Sequence, residues 1–247
     1  MKLTATTKLM PTNEQRQTLL QTLERANAAC QSISAVAWAN KTFNRVRLHH
    51  LTYYPVREEF GLTAQMAVRV IGKVSDAYKK DKKTKRAFHK HGAVPYDSRI
   101  LTWDIGNQMV SIWTLDGREP IPFVCGEHQQ KLLPFQQGES DLVYRDGTFY
   151  LFTTCDVPDD KMIDPADYLG IDLGIKNIAV SSDGTIHSAK HLLNVRHRHR
   201  RLRKKLQAKG TKSAKRKLKQ LSGKEARFAR NVNHGISKQI VKSAKDT

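Results

Sequence analysis

Tyr168-Leu169-Gly170-Ile171-Asp172-Leu173-Gly174-Ile175-Lys176-Asn177 is the stretch that decides how the C-terminal part of this chain folds. Its apolar run is short and bounded by turn formers, so it reads as a buried strand. Ile178-Ala179-Val180 pairs with it after a tight Lys176-Asn177 turn, and Asp183-Gly184 turns the chain into Thr185-Ile186-His187. The spacing therefore predicts a three-stranded meander. Asp172 stands in the middle, between Gly170 and Gly174. A carboxylate in an apolar strand is costly unless something pairs with it, and glycine on both sides lets backbone or ligand approach closely. Two readings stay open at this point. Asp172 caps a local backbone amide, or it ligates a hard cation such as magnesium, which keeps waters and takes only one or two protein carboxylates. Phosphodiester cleavage by two metals needs several acids around a pair of ions.

Downstream of the meander the pattern predicts two helices, the first basic and broken at Ser222-Gly223. The second carries Phe228, Val232, Ile236 and Ile240 at a spacing of four, a core-facing stripe. Charge is concentrated here. Residues 190–230 hold 17 Lys or Arg against one acid, Glu225, whereas residues 1–189 hold 23 bases and 21 acids. The whole chain carries +20 on 247 residues, so this one block supplies +16 of it. Such a block is either a solvated face or a contact for a polyanion, and at this density nucleic acid is the better reading. The candidate contact residues are Arg196, Arg198, Arg200, Arg201, Arg203, Lys204, Lys205, Lys209, Lys212, Lys215, Arg216, Lys217 and Lys219. The first seven fall within ten residues, so on a helix they encircle it rather than line one face. Leu202, Leu206, Leu218 and Leu221 anchor the helices, and His197 and His199 have no acid or cysteine nearby that would make a metal site. Few aromatics interleave, so contact to backbone phosphates is expected rather than base stacking.

Upstream, Lys2 to Met10 reads as one short strand. Thr12 and Gln15 have the spacing of a capping box, followed by Leu19, Leu20, Leu23, Ala26, Cys30, Ile33 and Ala37 on one helical face. A second helix is expected from Thr63, with Met66, Val70, Val74 and Tyr78 every four residues. It ends in Lys79-Lys80-Asp81-Lys82-Lys83, which reads as a solvated terminus. From Pro95 to Val157 the period shortens, and Asp116-Gly117 and Asp146-Gly147 between apolar runs signal hairpins of an antiparallel sheet or small barrel. Residues 95–160 hold 11 acids and 4 bases, so this part is no funnel for phosphate. Asp159 to Pro165 reads as a polar linker.

The length suits two small domains, or one with an insertion. Cys30, Cys125 and Cys155 form no CxxC pair, which leaves no disulfide framework and no zinc ribbon, and the plain reading is reduced, buried thiols in a cytoplasmic protein. No apolar run approaches the roughly 20 residues of a membrane span, and residues 1–10 lack a signal peptide.

Gly170-Ile171-Asp172-Leu173-Gly174-Ile175-Lys176-Asn177, with Ser182-Asp183-Gly184 after it, resembles the first RuvC motif of the TnpB, or OrfB-type, transposase family, transposon-encoded RNA-guided nucleases related to type V CRISPR effectors. Lys8-Leu9-Met10-Pro11 with Gln15 resembles the family's N-terminus. Val56-Arg57-Glu58, Ala64-Gln65 and Lys73-Val74-Ser75-Asp76-Ala77-Tyr78 resemble its helical insert, and Asn233-His234, Ser237-Lys238 and Ile240-Val241 the segment after the RuvC motif. The resemblance implies an α+β chain: a wedge-type antiparallel β-barrel over 1–11 and 93–161, a helical recognition-type insert over 12–92, and an incomplete RNase H-like (RuvC) α/β domain with a basic helix pair over 167–247. It implies a guide RNA from the transposon end and target DNA as partners, and Mg²⁺ as cofactor. The family's first catalytic and metal-binding acid maps onto Asp172. Its second and third acids and its zinc ribbon map onto nothing here, so the expectation is a truncated, catalytically incomplete chain.

Two other readings remain. One is a nuclease-dead RNA- or DNA-binding regulator, or a decaying gene product. The other is an ATPase of the actin or Hsp70 type, whose phosphate-binding strand Gly170 to Gly174 also resembles; hydroxyl residues usually follow there, where Ile175-Lys176 stand.

Overall fold

Lys2 to Leu9 put Ala5, Thr7 and Leu9 on one side of an extended chain, and that side is buried. In the computed structural model, which describes residues 1–159, 165 and 167–245, the chain divides into two compact units, Met1–Asp160 and Lys161–Thr247.

In the first unit, strand β1 (Lys2–Leu9) is followed by helices α1 (Asn13–Ala39), α2 (Arg45–Phe60) and α3 (Ala64–Lys80). The capping box is present: the Gln15 amide donates to Thr12 Oγ1 at 3.3 Å, and the Thr12 amide donates to Gln15 Oε1 at 3.1 Å. The expected apolar face of α1 is buried from Leu19 to Ala37, except that Leu20 is half-buried. Met66, Val70, Val74 and Tyr78 of α3 are buried as their period implies. Helix α2 was not foreseen. Its inward positions are Leu48, Thr52 and Val56, and a threonine in that register with Pro55 beside it hides the period. Asn44 Oδ1 caps it by accepting from the Val46 amide at 2.9 Å, and Gly61 ends it at φ 62°, a left-handed conformation that favours glycine.

Six more strands complete this unit: β2 (Val94–Tyr96), β3 (Leu101–Asp104), β4 (Met109–Thr114), β5 (Gly117–Val124), β6 (Gln136–Arg145) and β7 (Thr148–Asp156), with a short helix α4 (Glu127–Leu132) between β5 and β6. Their order is β2-β6-β7-β1-β5-β4-β3, all antiparallel. Both Asp-Gly hairpins form where the sequence placed them. At Asp146-Gly147 both residues have positive φ, 48° and 78°, the backbone that lets a two-residue turn follow the strand twist. A third hairpin, from β3 to β4, lacks that signal. Asp104 makes it by accepting from the backbone and side-chain nitrogens of Asn107 at 3.2 and 2.8 Å. The sheet curls until its ends nearly meet. Tyr96 Oη on β2 donates to the Trp113 carbonyl on β4 at 3.1 Å, and the Trp113 amide donates to the Ile100 carbonyl at 2.8 Å. The result is a nearly closed barrel. Helix α1 lies against it through Gln15 to the Pro120 carbonyl at 3.0 Å and the Leu115 amide to Thr22 Oγ1 at 3.0 Å.

The second unit is the foreseen meander followed by helices. Strands β8 (Ile171–Leu173), β9 (Asn177–Ser181) and β10 (Ile186–Ser188) form an antiparallel sheet in the order β10-β9-β8. Then come α5 (Lys190–Lys209), α6 (Lys212–Leu221) and α7 (Lys224–Lys245). Two corrections follow. The expected helix break at Ser222-Gly223 exists, but a second one at Gly210, φ 62°, makes three helices of the expected two. The expected buried strand is exposed instead: Ile171, Leu173 and Ile175 are 43, 75 and 87% accessible. The reason is its place at the edge of a three-stranded sheet; among the described residues no element lies over it. Of the expected linker, only Asp159 and Pro165 lie within the described residues.

Candidate nucleic-acid interface

Helix α5 shows how the basic block is deployed. Leu192 is buried, and Leu193, Val195, His199 and Leu206 are half-buried. At 100° per residue most of these fall on one stripe. Arg198, Arg201, Lys204 and Lys205 fall on the opposite side. The cations thus cover most of the circumference without closing it, and all the candidate residues from Arg196 to Lys219 are exposed. Helix α6 repeats the scheme, with Ala214 buried, Leu218 and Leu221 half-buried, and Lys212, Lys215, Arg216, Lys217 and Lys219 exposed. Thr211 caps it, its hydroxyl accepting from the Ala214 amide at 3.2 Å.

The single acid of the block has a structural task. Glu225, in the first turn of α7, accepts from Arg203 Nη2 at 2.5 Å, and Arg196 Nε lies 3.8 Å from its other oxygen. Arg196 and Arg203 are seven residues apart, two turns of one helix face, so Glu225 fastens α5 to α7. A cleft of about 440 Å³ lies there, lined by these three residues with His199, Leu218 and Leu221. Beside it His191 meets the Phe228 ring edge-on, centroids 5.3 Å apart. Two candidate contact residues are therefore tied to a carboxylate. The stripe Phe228, Val232, Ile236 and Ile240 is the less exposed side of α7, yet it is half-buried rather than buried.

Asp172 is placed otherwise than its sequence context implies. It is exposed on β8. Its carboxylate accepts from no backbone amide among the described residues, so the local-cap reading fails. The flanking glycines admit close approach of backbone and a serine. A Cβ on Gly174 would meet the Asn177 carbonyl at 3.1 Å, and Gly170 exchanges bonds with Ser182 at 2.8 and 3.1 Å. Asp183 is engaged in its turn: the Thr185 amide donates to it at 2.8 Å and holds its carboxyl below the usual range. No group of three or more His, Cys, Asp or Glu side chains suited to a metal occurs among the described residues. They supply one carboxylate at Asp172, which does not compose a two-ion site. Cys30 and Cys155 are buried, Cys125 only half so, and all three are free. No helix among the described residues is long and apolar enough to cross a membrane.

The first unit holds cations that the sequence did not group. Lys79 and Lys82, assigned above to a solvated helix end, share a cleft with Lys41, Arg45 and Arg47. The signal was the density of positive residues in Lys41-Thr42-Phe43-Asn44-Arg45-Val46-Arg47, although nothing local places that loop beside the end of α3. A neighbouring cleft of about 510 Å³ shares Arg45 with it and is also charged, but Asp76, Glu139 and Asp141 line it and three of its five Lys and Arg are engaged. There Arg69 pairs with Asp97 and Glu139, Arg86 with Asp81, and Lys73 donates to Asn27 Oδ1 at 2.7 Å.

The exposed cations of α5 and α6 give the second unit a basic surface. Residues 153–247 match the family OrfB_IS605, described as a probable transposase, which bears out the resemblance read from the Gly170–Asn177 motif. No curated protein matches the chain. Among solved structures it is similar to a CRISPR-Cas12f ternary complex, with 16% identity and a TM-score of 0.44, covering 92% of this chain and 60% of that one. A Cas12f1-sgRNA-target DNA complex gives 16% identity and a TM-score of 0.47, covering 98% of this chain and 71% of that one.

Proposed function

We propose that this chain is an RNA-binding protein of the transposon-encoded, RNA-guided type, with guide RNA held mainly by residues 190–230. Target DNA is the second partner that the family resemblance implies. The observation that carries the reading is the deployment of α5 and α6: an exposed Lys or Arg at more than half of the positions their leucines leave free, no acid on either helix, and the nearby Glu225 of α7 already bound to two arginines. Helices of this kind contact phosphates without reading bases, so binding is sequence-tolerant and salt-sensitive. With about six phosphates neutralised, log affinity for single-stranded RNA is expected to fall with log salt at a slope of roughly −4 to −5. A filter-binding titration measures it, and a slope near zero would remove the electrostatic basis of the proposal.

Asp172 stands where the family's first catalytic carboxylate falls, and Mg²⁺ is the cation such a group would take. One carboxylate does not position two ions against attacking and leaving oxygens. Residues 1–247 are therefore proposed to bind without cutting, which favours the nuclease-dead binder over the nuclease for this chain by itself. Asp172→Asn is expected to leave RNA affinity within about twofold, since the carboxylate offers no donor to phosphate. The check is purified 1–247 with magnesium or manganese, guide RNA and labelled target DNA. Metal-dependent cleavage that disappears in Asp172→Asn would overturn this part.

A further inference from the structure

We infer that Lys73 is an acyl-acceptor site: its ε-amine, in the cleft between α3 and β6, takes the acyl group of a small acyl phosphate bound there. The site shares no residue with the basic helices and stands apart from the reading of them.

The amine is held in place. The Lys73 ammonium donates to Asn27 Oδ1 of α1 at 2.7 Å and sits 5.3 Å from the centre of the Phe88 ring. Lys73 is half-buried and lines the cleft of about 510 Å³, a volume that admits a small molecule. Burial pushes the ammonium below its ordinary value, against the opposite pull of Cys30 on α1 and Asp141 on β6. Asp141 is itself pushed up, first by burial and then by Glu139. More of Lys73 is therefore free amine at neutral pH than of a solvated lysine, and only the free amine is a nucleophile.

The same cleft has cations for a phosphate group. Gly72, which precedes Lys73, lets the Arg45 guanidinium of α2 lie against α3; a Cβ there would stand 3.2 Å from Arg45 Cζ. Arg45 and Lys80 both line the cleft, both are exposed, and neither forms an ion pair among the described residues. The acids of the cleft are engaged. Glu139 pairs with Arg69, Asp76 with Lys79, and Asp141 interacts electrostatically with Lys73. Two unpaired cations beside a nucleophilic amine suit a molecule with a phosphate at one end and an electrophilic carbonyl at the other, which is an acyl phosphate. In the reaction the Lys73 ammonium first gives one proton to water. The Nζ lone pair then bonds to the acyl carbon, and the bond from that carbon to the bridging oxygen breaks, its electron pair leaving with phosphate. The second amine proton departs on that phosphate as HPO₄²⁻, and an amide remains on Lys73. The positive charge that Asp141 meets there is removed.

The experiment treats the full chain with acetyl phosphate, or with the uncharged N-hydroxysuccinimide ester of acetic acid, and follows acetylation of each lysine by mass spectrometry. Near pH 7, Lys73 is expected to react about fivefold faster than the exposed Lys8 and Lys131 with either reagent. The ratio is expected to fall toward one near pH 10, where solvated amines lose their protons as well. Arg45→Gln with Lys80→Gln, both at exposed positions, is expected to slow acetyl phosphate at Lys73 about tenfold and to leave the ester within about twofold. Inorganic phosphate added to the unaltered chain is expected to slow acetyl phosphate at Lys73 and not at Lys8. Equal rates at Lys73, Lys8 and Lys131 near pH 7 would overturn the inference. Indifference of the acetyl phosphate reaction to inorganic phosphate, or equal losses with both reagents in the double variant, would overturn it as well, because the cleft would then hold no phosphate.

Discussion

Changing Arg198, Arg200, Arg201 and Lys205 together to glutamate is expected to weaken RNA binding about a thousandfold near 0.1 M salt. Each phosphate neutralised on a single strand contributes about 0.7 to the salt slope, so at 0.1 M it is worth about 0.7 log units, and four are worth about three. None of these side chains pairs with a carboxylate among the described residues, so little folding cost should accompany the change. The loss is expected to be the same for unrelated RNA sequences, because phosphate contacts carry no base information. Arg203→Gln makes the control. It removes one charge and loosens the Glu225 link between α5 and α7, so it should lower helix stability more than its share of affinity. Electrophoretic mobility shifts against two unrelated RNAs, with circular dichroism on each variant, read both effects. A loss under tenfold in the four-residue variant would place the binding elsewhere.

The second large effect is expected in hydrogen exchange. The first unit buries a continuous core from Ala5 to Cys155, including Tyr78, Tyr96, Phe123 and Phe149. The buried apolar residues of the second unit, among those described, are Ala179, Ala189, Leu192 and Ala214. Its β8 edge presents Ile171, Leu173 and Ile175 to solvent, an arrangement that also invites association between chains. Amides of β1, β7 and α1 are therefore expected to exchange about three orders of magnitude more slowly than those of β8 and α5–α7 in the RNA-free protein. Added RNA should slow α5 and α6. Uniform protection across both units would contradict this picture of where the core lies.

How far the sequence could be read depended on whether the deciding interaction was local. The capping box at Thr12 and Gln15, the α3 period from Met66 to Tyr78, the two Asp-Gly hairpins and the meander after Tyr168 are set by neighbours in the chain, and all were legible. Helix α2 was not, because one of its inward positions is Thr52 and Pro55 interrupts its pattern. The Gly210 break was missed as well; basic residues continue on both sides of it, so charge density masked the stop. Asp172 was read as buried because apolar neighbours usually mean a covered strand. Exposure depends on what packs over β8, and local sequence does not carry that. The Glu225 link to Arg196 and Arg203 was equally out of reach. It needs α5 and α7 side by side. The cleft at Lys41, Arg47 and Lys82 needs α3 to return beside the α1–α2 loop.

The central claim is that exposed cations of α5 and α6 hold RNA by its phosphates. The most direct measurement is the salt dependence of RNA affinity for the wild type and the Arg198, Arg200, Arg201, Lys205 glutamate variant, side by side over about 0.05 to 0.3 M. The expected result is a slope of roughly −4 to −5 for the wild type, and one shallower by about three for the variant. Parallel lines, whatever their vertical offset, would contradict the claim.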